Sequence, residues 1–137
     1  MPVPILVLVA LLALPMQAVV ADDCAAPQTN MQMQDCAGRD YKAADADLNA
    51  AYGEVMAKLK AMDADLAKAQ AGGGLAGALR DAQRAWIQFR DGQCGWEAAF
   101  FRGGSMQPLI QTTCLTELTR ARTAQLRQTW KSYGAGQ

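Results

Sequence analysis

Apolar side chains recur along most of this chain at helical spacing. Tyr41, Ala44, Leu48, Tyr52, Val55, Leu59, Met62 and Leu66 succeed one another by three or four positions, which sets them along one side of an α-helix. Lys and Asp fill the opposite side. Thr29, followed three residues later by Gln32, has the pattern of a capping box. Ala71-Gly72-Gly73-Gly74 ends the segment, because consecutive glycines carry a high entropic cost in a helix. Gly38 and Gly53 are the positions at which this first helix is expected to bend or split. A second helix is predicted from about Leu75 to Phe101, with Leu75, Leu79, Ala82, Trp86, Phe89 and Ala98 among its inward residues. Arg102-Gly103-Gly104 breaks it, Ser105 offers an N-cap, and Pro108 is tolerated in the turn that follows. A third helix continues through Leu109, Cys114, Leu118, Ala121, Leu126 and Trp130, and frays by Gly134. No stretch alternates with period two, and β-branched residues are few beyond the first twenty-one. The expected fold is therefore all-α: an antiparallel bundle of three long helices.

The first twenty-one of the 137 residues do not belong to that bundle. Met1 to Ala21 carries no charged side chain and ends in Val19-Val20-Ala21 before Asp22-Asp23, the pattern of a secretory signal peptide. Pro2, Pro4 and Pro15 interrupt it, and no basic cluster follows, which argues against a membrane span. Cleavage leaves residues 22–137, the size of a single domain with one modest core.

Four cysteines, Cys24, Cys36, Cys94 and Cys114, all follow the cleavage site, and the chain has no His. An even count in a small exported chain reads as two disulfides. Reflection about residue 104 sets Cys94 and Cys114 level on antiparallel helices, so they are expected to pair. Cys24 then closes onto Cys36 through a short N-terminal segment folded back on helix one. The spacing does not suit zinc, and no metal or other cofactor is expected. Without His there is no Ser-His or Cys-His nucleophile pair and no c-type haem attachment. A lipid anchor would need Cys24 directly at the cleavage site, where Asp22-Asp23 stand instead. No stable membrane insertion is expected after cleavage.

Thirteen basic and thirteen acidic side chains give zero net charge, without the basic excess of a nucleic-acid binder. The halves differ. Residues 22–70 hold nine acids and five bases, whereas residues 71–137 hold four acids and eight bases. Mutual attraction of two parts of one bundle accounts for this; the alternative is a basic binding face.

The stretch Ala78-Leu79-Arg80-Asp81-Ala82-Gln83-Arg84-Ala85-Trp86-Ile87-Gln88-Phe89-Arg90-Asp91-Gly92-Gln93-Cys94 resembles the AQRAW-x-x-FRD-x-x-C signature of the LprI-like lysozyme-inhibitor domain, a secreted bacterial family. Cys24 and Cys36 match its opening cysteine pair, and Ala44-Asp45-Ala46-Asp47-Leu48-Asn49-Ala50-Ala51-Tyr52 matches its AD-x-[ED]-LN-x-x-Y. Gly103-Gly104-Ser105, Cys114, Leu118-Thr119, Arg122 and Leu126 match its closing part. The resemblance covers about residues 24 to 126. It implies a periplasmic or secreted protein whose partner is a lysozyme or another envelope protein.

Two residue sets are candidates for a site. The first is the tip Arg102-Gly103-Gly104-Ser105 with Gln107, read either as a plain helix–helix turn or as a projecting loop that enters a partner's cleft. The second is the polar set Asp45, Asn49, Arg84, Arg90 and Arg122. Reflecting the helices brings Asn49, Trp86 and Arg122 into one layer with Asp45 and Arg90 a turn away, as a buried ion network or an anion site. Asp45 and Asp47, like Asp63 and Asp65, point to different helix faces. No catalytic carboxylate pair of the glycosidase kind is expected, and the chain does not read as an enzyme. Two functions remain: a lysozyme inhibitor, or a non-inhibitory envelope protein with a structural, stress or adaptor role on the same scaffold.

Overall fold

A computed structural model describes residues 24–135; the expected signal segment lies outside them. The described residues form α1 (Asn30–Lys68), α2 (Leu75–Ala99) and α3 (Gln107–Thr129), followed by one π-helical turn, Trp130–Gly134. The fold is all-α. Helix α1 starts where the capping box requires. Thr29 Oγ1 accepts from the Gln32 amide at 3.1 Å, and Gln32 Oε1 accepts from the Thr29 amide at 3.1 Å. It then runs unbroken for 39 residues, past Gly38 and Gly53, instead of splitting there. Both glycines stand on the exposed side. A cost of about 1 kcal/mol each against Ala is too small to interrupt a helix whose other face is packed.

That packed face carries Ala44, Leu48, Ala51 and Val55, and α1 lies chiefly against α3. The inward side of α3 is built from Cys114, Thr116, Thr119, Thr123 and Leu126. Counting apolar residues alone had missed the threonines and had turned Ala121 inward, where it is exposed. Two of the hydroxyls are satisfied within the helix: Thr116 donates to the Thr112 carbonyl at 2.9 Å and Thr123 to that of Thr119 at 3.0 Å. Each then presents its methyl group to the core.

Both expected disulfides are present. Cys24 pairs with Cys36 and Cys94 with Cys114, each with Cα atoms 5.5 Å apart. The second sets the rotation of α2, whose buried residues are Gln83, Arg90, Cys94 and Ala98. Phe89 is thereby turned outward and is 57% exposed. It lies about 140° around the helix from Cys94. Leu75 and Ala82 are also exposed, while Leu79 and Trp86 are half-buried.

The glycine-rich turn between α1 and α2 uses left-handed backbone, with φ of 93° at Gly72 and 94° at Gly74. Gly74 stands at the N-cap of α2 and has no side chain to offer. Asp63, from the last turns of α1, supplies the cap instead. Its carboxylate accepts from the Ala76 amide at 3.0 Å and the Leu75 amide at 2.9 Å, and these bonds, Ala76 first, hold it below the ordinary carboxylate range. At the other end of the chain, α3 does not fray towards Gly134 as expected. It widens into the π turn, with the Ala135 amide bonded to the Trp130 carbonyl at 3.1 Å. The missing side chain of Gly134 lets the backbone lie on the Trp130 indole, which a Cβ there would overlap.

Asp63 contributes its capping stability fully above the unfolded carboxylate pKa of about 4, and loses it as pH falls through the lower folded value. Asp63→Asn is expected to melt below the parent at pH 7, with the gap narrowing as pH drops beneath about 4. Thermal melts followed by circular dichroism check this; curves that stay parallel across that range contradict it.

Candidate functional site

The α2–α3 turn is closed by its own backbone. Phe101 O accepts from Gly104 N at 3.0 Å and Gly104 O from Gln107 N at 3.2 Å. Gly103 turns the chain with φ of 81°, and its amide donates to Gln107 Oε1 at 3.1 Å. Ser105 does not cap α3 as expected. Met106 stands at the N-cap with no side-chain bond, because Ser105 is engaged across the bundle. Its Oγ accepts from Asn30 Nδ2 at 3.1 Å and its carbonyl from Gln34 Nε2 at 3.0 Å. The first turns of α1 thus hold the tip from the side. Gln107 and Ser105 maintain the turn, while the Arg102 side chain is exposed.

Around this turn the surface is unusually apolar. Phe100 is 74% exposed and Trp96 60% exposed, their rings edge to face at 5.6 Å. Phe101 and Met106 within the turn are exposed as well, and so is Met31 in the first turn of α1. Helical spacing alone does not show that these residues face outward. A usable signal was the phase of Cys94: with that residue inward, Trp96 and Phe100 lie on the far side of the helix.

The polar set separates into two arginine sites that share Trp86. Arg90, 8% exposed, bonds Asp91 at 2.9 Å and Thr119 Oγ1 at 3.4 Å, and lies 3.9 Å from Asp45. Its guanidinium covers the Trp86 ring at 5.2 Å and the Tyr41 ring at 5.7 Å. Arg122 also stacks on Trp86, at 5.8 Å, but its acceptors are the amides of Gln83 (3.0 Å) and Gln125 (2.6 Å), not a carboxylate. Burial alone pulls its pKa below the ordinary arginine value. Asn49 is exposed and donates to Asp45 on its own helix at 2.9 Å. Arg84 is exposed on α2, outside both sites.

The model of the lysozyme inhibitor LprI family matches residues 21–126. The chain belongs to the LprI lysozyme inhibitor family. It is also 47% identical over 114 residues to an uncharacterized protein of Rhizobium meliloti (strain 1021), covering 80% of each chain. No solved structure matches.

In this LprI-family chain, five of the residues that carry the family resemblance in α2 build the scaffold, while Ala82, Arg84, Ala85 and Phe89 of the same signature are exposed. Gln83 holds Arg122, Trp86 contacts both arginines, Asp91 pairs with Arg90, and Cys94 forms the disulfide. Arg90→Ala is expected to destabilise the fold by roughly 2–3 kcal/mol, through lost packing on two rings and a lost bond to Thr119. Arg90→Met, which keeps the stem, is expected to lose less. Urea titrations of both variants check this, and a loss under about 0.5 kcal/mol for Ala contradicts it.

Proposed function

We propose that this protein is an exported lysozyme inhibitor whose α2–α3 turn enters and occludes the lysozyme's substrate cleft. The observation that carries this reading is the exposed cluster Trp96, Phe100, Phe101 and Met106 around Arg102, on a turn held by a disulfide and by α1. Aromatic residues and arginine are the side chains that dominate protein interfaces. A preorganised turn loses little entropy on binding. Lysozyme clefts hold catalytic carboxylates, to which Arg102 brings a cation.

The acidic face of α1 is the weaker candidate for the contact, since several of its carboxylates are already engaged. Asp45 faces Arg90, Asp40 faces Arg120 at 3.8 Å, Glu54 pairs with Lys58, and Asp63 caps α2. Export through cleavage of residues 1–21 to the periplasm or beyond agrees with the two disulfides, which persist in oxidising compartments. The non-inhibitory envelope role is the competing outcome.

Cell-wall clearing by c-type and g-type lysozymes, with and without the purified protein, tests the reading. The parent is expected to inhibit at least one of them. Phe100→Ala with Arg102→Ala is expected to weaken inhibition at least tenfold, about 1.4 kcal/mol, with helicity and melting unchanged. Inhibition equal to the parent's would move the contact to α1. No inhibition by the parent would favour the structural or adaptor role.

A further inference from the structure

At the end of the bundle opposite the tip, the three helices diverge around an apolar cleft of about 430 Å³. Val55, Leu59 and Met62 of α1, Leu79 of α2, Leu126 of α3 and Trp130 form its walls. The volume is at the small end for ligand sites, where one alkyl chain fits and two do not. The π turn shapes the far wall. Trp130 lies there against the Gly134 backbone, with Lys58 Nζ 5.1 Å from its ring. Such single-turn π segments are frequent at functional sites.

Among the described residues, Arg122 is the one charged residue lining the cleft. Its side-chain acceptors are two neutral amides, Gln83 and Gln125, so its charge is not neutralised by either. Two carboxylates of α1 in the same half of the bundle are committed elsewhere: Glu54 to Lys58, and Asp63 to the first amides of α2. An apolar cleft with a lone, partly desolvated guanidinium at its wall is complementary to a molecule with one apolar tail and one anionic head. Carboxylates are well matched to the guanidinium fork.

We propose that this cleft binds a single-chain fatty acid, its tail along Leu59, Leu79 and Leu126 and its carboxylate on Arg122. This site is remote from the tip and does not depend on lysozyme inhibition. Titration calorimetry on the mature, oxidised protein with laurate, kept below its micelle concentration, tests the proposal. The expected result is saturable one-to-one binding, weakened at least tenfold by Arg122→Gln, while dodecanol binds both proteins within twofold. On the parent, dodecyltrimethylammonium is expected to bind at least tenfold more weakly than laurate, a comparison that does not depend on the variant folding. Ala78→Trp, at an exposed rim position of the cleft, is expected to abolish binding of laurate and dodecanol, with melting unchanged. Absence of saturable laurate binding, equal affinity for the cationic and anionic chains, or full binding by folded Ala78→Trp would overturn the proposal.

Discussion

The bond between Cys94 and Cys114 sets the rotation of α2, and most of the surface follows from that rotation. With Cys94 fully buried, α2 must turn Gln83, Arg90 and Ala98 inward. Phe89, Trp96 and Phe100 are then carried to the outside. Free to rotate, the helix would gain more apolar burial by putting those aromatics in the core, at about 25 cal/mol per Å². A loop of twenty residues closed by the bond contributes about 3 kcal/mol by restricting the unfolded chain. The same bond that stabilises α2 against α3 thus holds an apolar, arginine-bearing surface in water beside the turn.

The interface between α1 and α3 complements this arrangement. Ala44 and Ala51 face a stripe of threonines, so that side is packed from small groups. Large aromatic side chains are therefore available elsewhere. Trp86 and Tyr41 are used to sheath Arg90, whose burial would otherwise be costly. Trp130 walls the cleft at the opposite end, and Trp96 with Phe100 lies beside the tip. The bundle's two ends are thereby chemically different, one presenting exposed rings around a tight turn and the other an apolar recess lined by Arg122.

Much of the architecture was legible in the sequence. Periodicity located three helices, the box at Thr29 started α1, and reflection about the second turn paired Cys94 with Cys114. It also brought Trp86 level with Arg122, which stack in the fold. What escaped was the rotation of each helix. Threonine counts as polar until its hydroxyl is given to its own backbone, so the inward face of α3 was invisible to an apolar tally. Phe89 looked like core because spacing alone does not say which apolar stripe the disulfide will face. Asp63 was one carboxylate among several, since nothing local shows that it reaches across a glycine turn to cap the next helix. The tip was located by its glycines and Arg102, but the rings around it and the bonds from α1 to Ser105 are products of tertiary packing.

The chain belongs to the LprI lysozyme inhibitor family, yet the buried α2 residues that carry the resemblance, Gln83, Arg90 and Cys94, lie in the scaffold. The most direct test of the tip as the contact is hydrogen–deuterium exchange on the oxidised protein, alone and mixed with an inhibited lysozyme. Added protection centred on residues 96–107, with the outer face of α1 unchanged, is the result this account predicts. Protection confined to α1 around residues 40–60, with the α2–α3 turn exchanging as in the free protein, would contradict it.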